Sequence, residues 1–112
     1  MKMVTEQFAF LVDVAKLIQF ADNHGTVITG GELYRPQEME DIYVSQGKSK
    51  AKSGNHQRRL AIDLNFFIGE NPVYDKASIE LYGKYWESLN PANRWGGHFS
   101  NISDTDHFER NV

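Results

Sequence analysis

Cysteine is absent from the 112-residue chain, which excludes disulfides, thiol catalysis and any zinc site built on thiolates. The compartment stays open, because a chain without thiols is stable in either redox environment. A transition metal would have to be held by histidine and carboxylate, a set that suits zinc. Long apolar runs are missing too, so neither a membrane span nor stable membrane association is expected. The start, MKMVTEQFAF, lacks the unbroken apolar core of a signal peptide, and residence in the cytoplasm is the expectation. A basic excess is also lacking. Twelve Lys+Arg stand against 15 Asp+Glu, for a net charge of −3, which argues against nucleic acid as a partner.

What is present suits one compact domain over residues 1–112, with 40% hydrophobic residues to build a core. Residues 5–21 carry Phe8, Leu11, Ala15 and Ile18 at helical spacing, with Val14, Leu17 and Ala21 beside them. Thr5 is the expected N-cap, and Asp22-Asn23-His24-Gly25 the stop. Residues 26–29 read as a short β-branched strand broken by Gly30-Gly31. Pro36 opens a second helix that carries Met39, Ile42 and Tyr43 on one side and ends at Gly47. Residues 48–55 are basic, polar and glycine-containing, the pattern of a flexible loop.

From Leu60 the pattern alternates. Leu60, Ile62, Leu64 and Phe66 share one side of a strand, and Ala61, Asp63 and Asn65 the other. A turn at residues 69–72 leads to a third helix over 75–89, with Ile79, Tyr82, Tyr85, Trp86 and Leu89 on its inner face. Residues 90–97 read as a loop, and residues 106–110 as a last strand. Helices and strands mix without a βαβ rhythm. The expected class is α+β, a small antiparallel sheet packed against about three helices.

Three of the four histidines lie near carboxylates. His56 stands at the mouth of the alternating strand and Asp63 projects from its polar face. With about 3.3 Å of rise per residue, only a bend before Leu60 brings the two side chains together. Asp is uncommon in strands, which makes Asp63 unusual there. Spacing alone gives a weak metal signal, since a surface His and a solvated Asp are common. The second acidic stretch is Asp104-Thr105-Asp106-His107-Phe108-Glu109.

The stretch SGNHQRRLAIDLNFF resembles the first zinc motif of the D-Ala-D-Ala carboxypeptidase and L-alanyl-D-glutamate endopeptidase family: His, six residues, then Asp, with Ala two before the Asp. DTDHFER resembles the second motif, an acid three residues before a ligand His. TGGELYRP resembles the segment that supplies an active-site arginine, and YGKYWESLNPANRWGGHF the stretch before the second motif in small phage endolysins. Gly54 stands where Ser is frequent, Arg59 where Gly is usual, and Asp104 where many members have Glu.

The resemblance implies a Zn2+ cofactor held by His56, Asp63 and His107, and a small antiparallel sheet that carries this site. It implies Asp104 as the base that takes a proton from water, with Asp106 the nearby alternative, and Arg35 as the partner of the oxyanion. The implied partner is the peptidoglycan stem peptide, cut by a monomeric endolysin of phage or prophage type at L-Ala–D-Glu. Such an enzyme waits in the cytoplasm until a holin opens the membrane. A D,D-carboxypeptidase or dipeptidase is the second enzymatic reading, with Arg58 or Arg59 receiving the free carboxylate. Hedgehog-type signalling domains, which share this zinc architecture as binding modules, supply a non-enzymatic one.

Other residues have plainer readings. His98 could line a cleft or serve as a spare ligand, but polar loop surface is the preferred reading, and His24 is expected to favour a helix end. Trp86 fits the core, whereas Trp95 is more open. Tyr34 is expected to pack. Glu109 either orients a histidine or makes a plain ion pair. Lys48, Lys50, Lys52, Arg58 and Arg59 form a basic cluster, which either attracts anionic polymer or is simply solvated.

Overall fold

The computed structural model describes residues 2–47, 54–100 and 102–112. Among the described residues three helices accompany one antiparallel sheet, and α1 and α3 pack against it: α1 (Lys2–Asn23), β1 (Val27–Gly30), α2 (Gln37–Ser45), β2 (Ala61–Ile68), β3 (Asn71–Val73), α3 (Lys76–Leu89), β4 (Asn93–Trp95) and β5 (His107–Arg110). A 3-10 turn, Gly96–His98, follows β4. The sheet runs β1-β2-β5-β4, with β3 also paired to β2. This is the α+β arrangement that the sequence predicts. No described helix is long and apolar enough to cross a membrane. Lys48, Lys50 and Lys52 of the basic cluster lie outside the described residues.

The core forms where the inner faces of α1 and α3 meet β2, β4 and β5. Phe10, Val14, Leu17 and Ala21 come from α1, Leu64 and Phe66 from β2, and Ile79, Tyr82 and Trp86 from α3. Trp95 of β4 and Phe108 of β5 complete it. Trp95 is wholly buried rather than open, because Gly83 on α3 leaves room for its indole where any Cβ would overlap the ring. The Trp86 indole N–H is shared by the Arg94 and Glu109 carbonyls, at 3.2 and 3.1 Å. One core side chain thus fastens β4 and β5 to α3.

The apolar faces of α1 and α2 differ from expectation. Helix α1 starts before Thr5, and Phe8, Leu11 and Ile18 point to solvent; Phe8 is 68% exposed. The neighbouring stripe turns inward because Phe10 meets the Trp86 ring edge-on and Asp13 reaches Arg110 at 2.8 Å. On α2, Met39 and Ile42 are exposed and Glu40 is the buried residue, drawn in by Arg35 at 2.5 Å. Pro36 precedes the helix as its N-cap. Asp75 caps α3 by accepting from the Ser78 amide at 3.0 Å.

Two short strands replace expected turn and loop. Within residues 69–72, Gly69 turns the chain with φ of +64°, and Asn71–Val73 then pairs with β2. Pro72 is compatible with an edge strand, which needs fewer ladder donors. Residues 93–95 form β4 on β5, too short for any alternation to show.

Arg110 is buried and joins the N- and C-terminal parts of the chain. It donates to Asp13 at 2.8 Å and Glu6 at 3.0 Å, and Asn93 also donates to Asp13 at 3.1 Å. Removing one partner of a buried ion pair leaves an uncompensated charge. Asp13→Ala is therefore expected to lower stability by about 3 kcal/mol, read from urea unfolding. A loss below about 1 kcal/mol, the size of an exposed pair, would show that Arg110 is solvated instead.

A candidate metal centre on the β2–β5 ladder

Asp63 and His107 are direct partners across the β2–β5 ladder, so their side chains leave the same face. Two positions along each strand, Ala61 faces Glu109. The small alanine leaves room for the carboxylate beside His107. Asp63 is held from the other side as well. The Gly31 amide donates to its carbonyl and its own amide donates to the Glu32 carbonyl, both at 2.8 Å. A Cβ on Gly31 would press against the Asp63 backbone, which explains the glycine after β1.

His56 arrives by the expected bend. Residues 55–60 form a turn closed by the Leu60 amide on the Asn55 carbonyl at 2.8 Å. Arg59 turns the chain with φ of +59°, a left-handed conformation that costs a non-glycine side chain. Its guanidinium lies over the Tyr34 ring, 4.2 Å from the centroid. Tyr34 is consequently half-exposed rather than packed in the core.

The three candidate ligands converge. His56 Nε2 and His107 Nδ1 each lie 3.4 Å from Asp63 Oδ1. One ligand atom from each residue falls within 4.8 Å of the others. Each imidazole is oriented through its other nitrogen. His56 Nδ1 donates to the Leu33 carbonyl at 2.9 Å, leaving the Nε2 lone pair toward Asp63. His107 Nε2 donates to Glu109 at 2.7 Å, leaving Nδ1 inward. Glu109 is fixed in turn by Arg94 Nε at 2.8 Å and Nη2 at 2.5 Å. Glu109 is thus an orienting partner of a histidine, one of the two roles that its spacing allowed.

The field at the site favours positive charge. Burial opposes charge on His107, yet its contacts with Asp63 and Glu109 push its pKa up to about 9. Burial would raise Glu109, but His107 and Arg94 hold it down to about 2. Asp63 is likewise depressed against its burial by the two facing imidazoles. Among the described residues, His56 Nε2 and Asp63 Oδ1 are buried without a hydrogen-bond partner. These two atoms, with His107 Nδ1 facing the same carboxylate oxygen, make a donor set that fits a zinc ion, which takes such ligands and keeps a fourth position for water.

The site opens on a cleft of about 620 Å3. Asp104 and Arg35 line it beside His56 and His107. Burial raises the Asp104 pKa, reinforced by Asp63 and only partly countered by His107, His56 and Arg35. Its backbone is placed by Gly96, whose carbonyl takes the Asp104 amide at 3.0 Å. The next residue is pinned twice: Thr105 Oγ donates to the Tyr74 carbonyl at 2.6 Å, and its own carbonyl accepts from the Trp95 indole at 2.9 Å. Asp106 is raised to about 6 by burial and by the charges of Asp104 and Asp63. It does not line the cleft, and its buried Oδ1 has no hydrogen-bond partner.

Arg35 is less free than its expected role implies. It is bound to Glu32 and, at 2.5 Å, to Glu40, with Nη2 4.0 Å from Asp63. Arg58 and Arg59 do not line the cleft. Arg58 is spent on Asn55 at 3.1 Å and the Val112 carbonyl at 2.7 Å. His98 is exposed, as expected of a loop residue, and also stands in the cleft wall with Glu87, Arg94 and Phe99. No spacing rule flags Glu87 or Arg94, because α3 and β4 reach the site only through the fold. His24 is where the sequence puts it, its ring donating to the Phe20 carbonyl at the end of α1 over 2.8 Å.

A family model described as D-alanyl-D-alanine carboxypeptidase matches residues 47–110, which include His56, Asp63, Asp104 and His107. No curated protein sequence matches the chain. Among solved structures, the L-Ala D-Glu endopeptidase ChiX of Serratia marcescens superimposes with a TM-score of 0.72 over 88% of this chain and 78% of its own, at 16% identity. That likeness extends the shared fold to nearly the whole chain, including segments before the family match. With more than half of its length matched, the candidate ligands among it, the chain belongs to the D-alanyl-D-alanine carboxypeptidase family of peptidases.

Proposed function

We propose that this chain is a zinc-dependent peptidoglycan hydrolase that cuts the stem peptide at the L-Ala–D-Glu bond, as an endolysin of phage or prophage type. The observation that carries the reading is the convergence of His56, Asp63 and His107, each imidazole steered by a second polar group. Zinc, when bound there, supplies Lewis acidity and makes water nucleophilic near neutral pH. The chain's own residues do the rest. Asp104, in the cleft and with its proton affinity raised by burial, takes a proton from water and returns one to the leaving amine. Arg35 stays protonated, since Glu40 and Glu32 outweigh the opposing effect of its burial, and it presents positive charge to the oxyanion.

The choice of bond rests on the fold shared with an L-Ala D-Glu endopeptidase. The family's description favours a second reading, removal of terminal D-Ala. In either case the protein works as a monomer, and an endolysin reaches the wall once the membrane is opened.

Three outcomes are expected. Incubation with defined muropeptides should release a new N-terminal D-Glu, read by mass spectrometry, and a chelator should abolish it; free D-Ala instead would assign the carboxypeptidase activity. Asp104→Asn should retain one zinc per chain and lose about 10²- to 10⁴-fold in kcat, the usual contribution of a general base. The same loss in Asp106→Asn, with Asp104→Asn still active, would transfer the role. Glu109→Gln should weaken zinc binding about 10- to 100-fold, measured by chelator competition, and unchanged affinity would reduce Glu109 to a plain ion pair.

A further inference from the structure

Both bonds considered above share one chemical feature. The residue on the leaving side, D-Glu or D-Ala, carries a free carboxylate on the carbon bonded to the scissile nitrogen. A site that cuts there needs a positive or hydrogen-donating partner for this carboxylate, next to the metal centre. The cleft is otherwise hostile to an anion, since Glu40, Glu87, Asp104 and Glu109 also line it.

The cleft's two arginines are already committed. Arg35 is bound by Glu32 and Glu40. Arg94 gives both Nε and Nη2 to Glu109, and its guanidinium rests 5.3 Å from the Phe99 ring centroid. Drawing Arg94 away would release Glu109, the carboxylate that orients His107.

His98 is placed differently. Its Nδ1 meets Glu87 Oε1 at 2.8 Å, and the other oxygen of Glu87 accepts from the Trp95 amide at 3.1 Å. The ring stands edge-on to the Trp95 indole, with centroids 4.7 Å apart. The turn that carries it is set against the metal centre. A side chain on Gly96 would collide with the Asp104 carbonyl and crowd His107 Cβ, and one on Gly97 would overlap the Trp95 ring. His98 therefore has one orientation, held by a carboxylate on one nitrogen. Among the described residues no hydrogen-bond partner occupies its Nε2, and the side chain is one-third exposed within the cleft wall.

We propose that His98, held by Glu87, binds the carboxylate on the leaving side of the scissile bond through Nε2–H, and so selects substrates that are acids at that position over the corresponding amides. This rests on the peptidase reading above but not on which of the two bonds is cut. Glu87 acts as a positioning residue: it accepts the hydrogen bond from Nδ1–H and so turns Nε2–H outward, where a carboxylate can receive it.

The test compares matched pairs of synthetic stem peptides, with D-Glu against D-isoglutamine after L-Ala, and with terminal D-Ala against its amide. The wild-type zinc protein should prefer the acid by about tenfold or more in kcat/KM, the usual size of a hydrogen bond to a charged group. In His98→Ala the acid-over-amide ratio should fall toward one, with the loss in KM rather than kcat. His98→Gln, which keeps an N–H donor on a differently shaped side chain, should fall between. Glu87→Gln should weaken the preference while zinc content and melting temperature hold. Independently of hydrolysis, the His98 ring signals in a nitrogen-15 NMR titration should move with the acid peptide and not with the amide. Hydrolysis without acid preference, or a preference that survives His98→Ala, overturns the proposal. The NMR shift without hydrolysis upholds the subsite and overturns the peptidase reading instead. Absence of both overturns the two together.

Discussion

The register between β2 and β5 is the constraint on which the site depends. Asp63 and His107 face each other across that ladder, and a slip by one residue would send one of them to the core face. The pairing is held on both sides. Phe108 and Leu64 bury their side chains in the core, while the Leu64 amide donates to the Asp106 carbonyl and the Arg110 amide to the Leu60 carbonyl, at 2.9 and 2.8 Å. The alternation that gives β2 an apolar back therefore also fixes which residues form its polar front. Core packing and ligand placement are two faces of one strand pair.

Around this ladder the fold supplies orientation in layers. A backbone carbonyl at Leu33 sets His56, and Glu109 sets His107. Arg94 sets Glu109, and the Trp86 indole fastens the backbone carbonyls of those last two residues. Each layer is polar and needs its partner to remain buried without cost. The chain of contacts runs from α3 to the candidate ligand atoms, so the core tryptophan and the candidate metal centre are mechanically linked. Glycine does a related job on the other wall. Gly31, Gly83, Gly96 and Gly97 stand where a side chain would strike Asp63, Trp95 or Asp104, and they let backbone and indole approach the site closely.

Much of the architecture was legible in the sequence. Period-2 alternation identified β2, helical spacing identified the inner face of α3, and a stop of Asn, His and Gly ended α1. The elements that were misread are short or two-sided. Three-residue β4 carries no periodic signal, and the Asn-Pro pair in β3 reads as a turn. Helix α1 has apolar residues on two stripes, and periodicity cannot say which is buried. On α2 the buried position is charged, because Arg35 lies opposite Glu40, and no hydrophobic pattern announces an internal ion pair.

The site divides in the same way. The sequence by itself determined the donor chemistry: with no cysteine, a metal had to be held by imidazole and carboxylate, and the ordered motifs named His56, Asp63 and His107 for it. It also determined that Asp63 leaves the polar side of its strand, since side-chain direction follows from period alone. Only the tertiary structure decided that these three meet at one point, that Glu109 bonds His107 and Arg94, and that His98 stands in the cleft wall with Glu87. Those facts depend on contacts between residues far apart in the chain. Strand register and helix packing set such contacts, and local spacing carries no record of them.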